Sequence, residues 1–427
     1  MNPRRTAVTS AALLALLLPL PLAAAGSAAA AGAPPGSAAV ALPASLAGTP
    51  AAAADPTPQP LRPQLPRPTG RYAVGQDTLH LVDRSRTDPW AKSGPRELMV
   101  TMRYPAHPGT GGPVRPYLTD EEARLLLVDR GLDKQVAVES LAGTRAHSRS
   151  DARPVAGRYP LVVLSPGFSV PRATLTSLAE DLASRGYVVA LVDHAYESVG
   201  TSVPGGRVLT CLACEQAKGH EGRQLVAATR SRDVSFLLDR LTGHRPAWRH
   251  ARLIDQDRIA MAGHSIGGAS AAAAMADDPR IRAGINMDGS MVPLPEGGLG
   301  GRPFMLLGSA RAQPGADGTW DGNWPRFGGW KRWLTFDDSY HFTFSDWPTV
   351  SEQLGLPAWS PLPGARSLEL TRTYVGAFFD LHLKGVPQPL LDGPVASAPE
   401  VRFHDPAAPA APAAPAVPGD QPGRTLR

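Results

Sequence analysis

The strongest constraint on the fold is an alternation of short apolar runs with amphipathic helical patterns. The apolar runs contain many β-branched residues and fall at residues 161–164, 187–192, 258–262, 281–287, 303–307 and 333–336. After the first run, apolar residues follow the spacing of one helix face at Leu175, Leu178, Ala179 and Leu182, and the same spacing recurs at Val234, Leu237, Leu238 and Leu241. Buried strands that alternate with helices form a parallel sheet with helices on both faces. The sequence therefore predicts α/β architecture.

Two further segments complete the predicted domain. Residues 97–104 alternate with period two, which predicts antiparallel strands that open the sheet. Residues 118–141 are expected to hold one or two inserted helices.

The ends of the chain have a composition that cannot form a core. Residues 1–31 predict a signal peptide, because Arg4 and Arg5 precede an apolar stretch and then small residues, and we therefore expect secretion. The apolar stretch is broken by Pro19 and Pro21, so a membrane anchor is disfavoured. Residues 32–70, with ten prolines, read as a linker or pro-region, and 406–427 as a disordered Pro/Ala tail. We expect one catalytic domain at 71–405.

Charge gives little information about binding partners. Lys and Arg total 43 against 38 Asp and Glu, and no run of five like charges occurs. We therefore expect no nucleic-acid partner. The oligomeric state stays open.

A short glycine-containing turn follows the strand at 258–262. The residues Gly263-His264-Ser265-Ile266-Gly267 lie between that strand and an Ala-rich segment that should be helical. G-x-S-x-G in a strand-turn-helix setting projects the serine hydroxyl from a sharp turn. Ser265 is the candidate nucleophile, and His264 is expected to pack away from the hydroxyl.

A nucleophilic serine needs a base and an acid that orients the base. His341 is the candidate base, since it follows the last core strand. The acid is either Asp288, in a short turn after the next strand, or Asp317 or Asp321 in a later glycine-containing loop. We favour Asp288, because a rigid turn orients an imidazole better than a mobile loop.

Two backbone amides are placed to stabilise an oxyanion. Ile266 follows the candidate nucleophile, and Phe168 lies in the turn that ends the strand at 161–164. No metal or cofactor is expected.

Cysteines and tryptophans suggest two more features. Cys211 and Cys214 could close a small disulfide loop in an exported protein. Four tryptophans lie in the fourteen residues 320–333, and we expect Trp320 and Trp324 to line the site entrance, as an acyl pocket or a lipid contact. The alternative, which the sequence supports equally, is simple packing of a long glycine-containing loop.

These residues together resemble a known family. Leu164–Phe168, Asp181–Ala190, Gly263–Gly268 and Asn286–Gly289 are similar to bacterial platelet-activating-factor acetylhydrolases of the plasma, group VII phospholipase A2 type. The resemblance implies an α/β-hydrolase fold with Ser265, Asp288 and His341 as the triad and Phe168 and Ile266 as the oxyanion hole. It also implies a metal-independent serine esterase acting on short or oxidised acyl esters of phospholipids.

Two alternatives remain. Pro166-Gly167-Phe168 stands where the animal enzymes carry His-Gly-Leu, and this favours a cutinase-like lipase or polyester hydrolase. That alternative expects the acid one strand later than Asp288. A catalytically inactive α/β-hydrolase domain used for binding is the other.

Overall fold

The structure, a computed structural model, describes residues 60–406. This part of the chain contains twelve strands and nine α-helices. The strands are β1 Ala73–Thr87, β2 Pro95–Ala106, β3 Arg149–Ser150, β4 Tyr159–Ser165, β5 Val188–His194, β6 Thr201–Val203, β7 Arg207–Leu209, β8 Ile254–His264, β9 Ile281–Met287, β10 Phe304–Gly308, β11 Lys331–Phe336 and β12 Val401–His404. The helices are α1 Asp120–Asp129, α2 Val138–Ala142, α3 Thr176–Ser184, α4 Leu212–Gln216, α5 Gly219–Thr242, α6 Ile266–Asp277, α7 Gly318–Asn323, α8 Trp347–Gln353 and α9 Gly364–Lys384.

Ten of the strands form one sheet in the order β12-β11-β10-β9-β8-β4-β5-β2-β1-β3. The six strands from β11 to β5 are parallel to one another. At one end β2 runs antiparallel to β5 and to β1, and at the other β12 runs antiparallel to β11. Strands β6 and β7 form a separate hairpin. The predicted α/β fold with a mostly parallel sheet is confirmed, as are the antiparallel opening strands.

The two faces of the sheet carry separate cores because successive strand residues point to opposite sides. In β4, Leu161 and Val163 pack with residues of α5 and α6, whereas Val162 and Leu164 pack with residues of α3 and α9. Helices therefore cover both faces, as the α/β pattern predicted.

The predicted insertion at residues 118–141 holds the two helices α1 and α2, and α2 ends one residue beyond it, at Ala142. Their apolar residues pack against Val170, which follows the turn after β4, and against Val350 of α8. The insertion therefore lies near the ends of the strands from which the candidate site residues extend.

The N-terminal boundary of the domain differs from the expected residue 71. Leu65 is 1% exposed and packs with α1 and α2, and its N–H donates to the carbonyl of Arg145 at 3.0 Å. Thr69 donates through its N–H and its hydroxyl to Asp181, both at 2.8 Å. A proline-rich segment can pack when it runs extended along a surface that satisfies its few polar groups. The predicted signal peptide, the linker up to residue 59 and the tail from residue 407 lie outside the described residues.

Among the described helices, none combines the length and the apolar character that crossing a membrane requires.

Candidate active site

The predicted site residues converge at the carboxyl ends of the parallel strands. Ser265 follows β8, Asp288 follows β9 and His341 lies five residues after β11. Strands β8 and β9 are neighbours, and β10 lies between β9 and β11. Because parallel strands end at a common sheet edge, these three loops meet there.

Ser265 is held in a strained turn. Its φ is 56°, in the left-handed region that a non-glycine residue seldom adopts, and its N–H donates to the carbonyl of Met287 at 2.7 Å. A Cβ on Gly263 would lie 2.2 Å from the carbonyl carbon of Gly267, and one on Gly267 would lie 2.1 Å from the carbonyl oxygen of Ser165. The two glycines therefore allow the elbow to press against its neighbours, and the strain is of the kind that concentrates at functional sites.

Ser265, His341 and Asp288 form a continuous hydrogen-bonded chain. The Oγ of Ser265 lies 2.9 Å from Nε2 of His341, and Nδ1 of His341 lies 2.7 Å from Oδ2 of Asp288. The imidazole is 44% exposed and the carboxylate 8%, so the reactive end faces solvent while the acid is covered. The base can accept the hydroxyl proton while the carboxylate holds its tautomer.

The turn after β9 fixes the orientation of the Asp288 carboxylate. Its Oδ1 accepts the N–H of Ser309 at 2.7 Å, and its backbone N–H donates to Leu307 at 2.9 Å. Burial alone would raise the pKa of Asp288, but the bonds from His341 and Ser309 hold that pKa below its ordinary value. The Asp288 carboxylate is therefore ionised at neutral pH and can stabilise a protonated imidazole.

Asp317 and Asp321 have other partners. Asp317 caps the N-terminus of α7 and accepts the hydroxyls of Thr319 and Ser290. Asp321 accepts the N–H of Gly315. Among the contacts of the described residues, only Asp288 of these three carboxylates bonds to His341.

His264 is buried behind the base. Its Nε2 lies 2.7 Å from the carbonyl oxygen of His341, and the two rings are 4.7 Å apart. Burial, with the nearby His341, lowers the pKa of His264 to about 3, so it stays neutral and Nε2–H donates to that carbonyl. This bond orients the backbone that carries the base.

The two candidate oxyanion donors come from the residue after Ser265 and from the turn that follows the neighbouring strand. Ile266 is the first residue of α6, and Phe168 lies in the turn after β4, the strand beside β8. Neither backbone N–H has a hydrogen-bond acceptor among the described residues. Both amides are free to bind an oxygen at the nucleophile.

Arg130, at the end of α1, is a neighbour of the site that the sequence did not indicate. Its guanidinium donates to the hydroxyl of Ser169 at 3.3 Å and lies 5.2 Å from the ring centre of Phe342. It thus connects Ser169, which follows the candidate donor Phe168, with Phe342, which follows the candidate base His341. No local sequence pattern marks this role, since the contact depends on how the insertion packs.

The tryptophan-rich segment does not line an entrance, contrary to expectation. Trp320 is 1% exposed, packs against Trp333, and donates its indole N–H to the carbonyl of Gly289 at 2.6 Å. Trp324 is half-buried against Trp333 and Phe327. The rings belong to the core on the α5 and α6 face, where Trp320 supports the turn that holds Asp288.

Cys211 and Cys214 are joined by a disulfide in the structure. Cys211 and Phe168 both pack against the small apolar cluster that contains Ile266, so the short loop lies near the candidate oxyanion donors.

The described part of the chain lacks the arrangement of side chains that a metal ion requires. No group of three or more His, Cys, Asp or Glu side chains there is arranged to hold a metal ion.

Comparison with known proteins finds relatives that hydrolyse esters. The family model described as platelet-activating factor acetylhydrolase, isoform II, matches residues 127–204 and 248–356. A probable 1-alkyl-2-acetylglycerophosphocholine esterase of Arthroderma benhamiae is 29% identical over 380 residues, covering 80% of this chain and 94% of the relative. A platelet-activating factor acetylhydrolase of Gallus gallus is 24% identical, covering 68% of this chain and 76% of the relative.

A solved structure agrees with these relatives. A ferulic acid esterase from Streptomyces cinnamoneus is 43% identical, with a TM-score of 0.73, and the match covers 80% of this chain and 99% of that one. Since the sheet and helices are those of an α/β-hydrolase and every one of these relatives is named for hydrolysing an ester, the chain is a carboxylic ester hydrolase, and it is similar to the platelet-activating factor acetylhydrolases.

Proposed function

We propose that the protein is a secreted serine esterase that works through an acyl-enzyme on Ser265. The observation that carries the proposal is the chain from Ser265 Oγ through His341 to Asp288, with contacts of 2.9 and 2.7 Å. His341 takes the hydroxyl proton as the serine attacks the ester carbonyl, and then protonates the leaving alkoxide. Water, activated by the same imidazole, hydrolyses the acyl-enzyme.

Charge that develops on the carbonyl oxygen is stabilised by the backbone N–H groups of Phe168 and Ile266. Their lack of an acceptor among the described residues supports this role. Such donors act without reorganisation at the moment of reaction, because the fold already holds them in place.

The proposed substrates are short or oxidised acyl esters, including those at the second position of a glycerophospholipid. The acetylhydrolase and acetylglycerophosphocholine esterase relatives support this class. The polyester-hydrolase alternative loses support, because it expected the acid one strand later and His341 contacts Asp288.

Hydroxycinnamate esters are a second candidate substrate class. The 43% identity to a ferulic acid esterase, across 99% of that chain, favours them specifically. The proposed triad would act on both classes, which differ in the acyl group that the site admits and in the alcohol that leaves.

Secretion is proposed from the predicted signal peptide at residues 1–31. The disulfide between Cys211 and Cys214 supports it, since disulfides persist mainly in oxidising compartments.

Replacing Ser265 by alanine tests the mechanism. We expect Ser265→Ala to abolish esterase activity and fluorophosphonate labelling with the thermal midpoint nearly unchanged. The matched control is Ser290→Ala, an exposed serine near Asp288 that bonds only to Asp317 among the described residues, and it should keep both signals. Activity of Ser265→Ala within about tenfold of the wild type would refute the assignment, because loss of an essential nucleophile costs far more.

A substrate panel distinguishes the acyl classes. It contains 4-nitrophenyl esters from acetate to palmitate, a 2-acetyl phospholipid and methyl ferulate. A steep fall beyond short chains together with phospholipid turnover would support the first class, preference for methyl ferulate the second, and preference for palmitate neither.

A further inference from the structure

A group of ionisable side chains lies buried behind the turn that carries Phe168. We call it the buried ion cluster: Asp88, Arg96, His194, Glu197, Arg230 and Asp233. Each member is at most 2% exposed. Removing a charge from water costs several kcal/mol even after the structure relaxes, so such a cluster persists only with extensive pairing.

The charges of the cluster are paired across several elements. Arg96 of β2 contacts Asp88, Glu197 and Asp233 at 2.7 to 2.9 Å. Arg230 of α5 donates from Nε to Glu197 at 2.7 Å. Burial alone would raise the pKa of Asp233 and of Glu197, but the arginines hold both below their ordinary values. These carboxylates are therefore ionised acceptors.

The cluster ends on the last residue of β4. Burial, with Arg230 nearby, lowers the pKa of His194, so its imidazole is neutral. Nδ1–H of His194 donates to Asp233 at 2.8 Å, which leaves Nε2 to accept the hydroxyl of Ser165 at 3.1 Å. Ser165, His194 and Asp233 thus repeat the order of a catalytic triad. They lie where an ester cannot reach them, because all three are buried.

Arg230 connects the cluster to the turn itself. One terminal nitrogen of its guanidinium donates to Ser165 Oγ at 3.0 Å and to the carbonyl of Pro166 at 2.5 Å. On the other side of Phe168, the N–H of Ser169 donates to the carbonyl of Glu197 at 3.0 Å. The backbone is therefore fixed before and after Phe168, whose own N–H keeps no acceptor among the described residues.

We propose that Arg230 is a positioning residue that acts through Ser165 and Pro166 to hold the Phe168 N–H where the oxyanion forms. This rests on the proposed serine mechanism. Glu197 and Arg96 fix the guanidinium in turn, so the cluster supplies the rigid support that a preorganised donor requires.

The test compares two buried arginines. Arg230→Lys keeps the charge but cannot bond Glu197, Ser165 and Pro166 together through one planar group. Arg103→Lys is the matched control, because Arg103 is also buried and paired, to Glu180 at 3.0 Å, but has no bond to residues 165–169. Measurements are kcat and KM for 4-nitrophenyl acetate per fluorophosphonate-titrated site, and Ki for a trifluoromethyl ketone, whose serine adduct places an oxyanion in the hole.

We expect Arg230→Lys to lower kcat by about 10- to 100-fold, somewhat less than removal of one oxyanion donor, with a parallel rise in Ki and little change in KM. Arg103→Lys should lower the thermal midpoint and leave kcat per site and Ki unchanged. If Arg230→Lys also left kcat per site and Ki unchanged, the buried ion cluster would only stabilise the fold and the proposal would be wrong.

Ser165→Ala decides the question if Arg230→Lys does not fold. It removes the Oγ atom that bonds to both Arg230 and His194. We expect a fall in kcat with a parallel rise in Ki, both smaller than for Arg230→Lys. An unchanged kcat and Ki in Ser165→Ala would then overturn the proposal. Failure of the serine mechanism itself would look different, because Ser265→Ala would then retain activity.

Discussion

Replacing Asp288 by asparagine should invert the hydrogen bonding of His341. The N–H of Ser309 donates to Oδ1 of Asp288 at 2.7 Å, so an asparagine must place its carbonyl oxygen there. Its NH₂ group then occupies the Oδ2 position, 2.7 Å from Nδ1 of His341. Because that group only donates, the imidazole must accept at Nδ1 and carry its proton on Nε2. The base then presents a proton, rather than a lone pair, to the hydroxyl of Ser265.

The wrong tautomer should lower kcat by about 10³- to 10⁴-fold, which corresponds to about 4 to 5.5 kcal/mol of transition-state stabilisation. The substitution keeps the size of the side chain and the Ser309 bond, so KM and the thermal midpoint should change little. The assay is steady-state hydrolysis of 4-nitrophenyl acetate alongside thermal unfolding.

Asp317→Asn is the matched control for this prediction. Asp317 bonds to Thr319 and Ser290, not to His341, so its loss should leave kcat nearly unchanged. The reverse pattern, with Asp317→Asn inactive and Asp288→Asn active, would refute the assignment of the acid and favour the polyester-hydrolase alternative.

Two further predictions concern buried groups outside the proposed triad. Burial raises the pKa of Asp346 to about 8, so the folded protein keeps the carboxyl protonated at neutral pH while the unfolded chain ionises it above about 4. The wild type should therefore lose stability relative to Asp346→Asn as pH rises from about 4 to about 8, which thermal unfolding at pH 5 and pH 8 would show; an equal difference at both pH values would contradict it. Trp320→Ala should destabilise the fold by about 3 to 5 kcal/mol and Trp324→Ala by less, with KM for 4-nitrophenyl palmitate unchanged in Trp324→Ala, because these rings pack in the core. Urea unfolding measures the stability of both variants, and steady-state kinetics measures the KM of Trp324→Ala. A higher KM of Trp324→Ala at unchanged stability would support a position of Trp324 at the site entrance.

The sequence predicted the parts of the site that depend on local pattern and chain order. The turn at Ser265 needs glycines at fixed spacing after a strand, and all of these signals lie within a dozen residues. Asp288 follows β9 and His341 follows β11, and both strands belong to the same parallel sheet with β10 between them, so topology alone brings their loops to one edge.

The buried ion cluster could not be predicted in this way. Arg230 and Asp233 lie on a helix whose other charges are mostly exposed, and their partners Arg96 and Glu197 come from β2 and the loop after β5. No periodicity connects these segments. From the sequence alone, a charged residue that is buried in the fold therefore cannot be distinguished from a charged residue on the surface. The positions of Trp320 and Trp324 could not be predicted for a related reason. A high density of aromatic residues in a loop does not reveal which face of the sheet the loop packs against.

Strand β12 has a consequence for solubility. Its four residues pair antiparallel with Trp333–Phe336 of β11, a strand whose outer edge would otherwise present a row of unsatisfied backbone groups. An exposed edge of that kind can recruit a strand from another molecule and begin aggregation. The outermost strand is instead short and carries Arg402, which bonds to Asp337 on the surface. Removing residues from 401 onward would therefore be expected to leave the proposed triad intact and yet make the protein prone to association at high concentration.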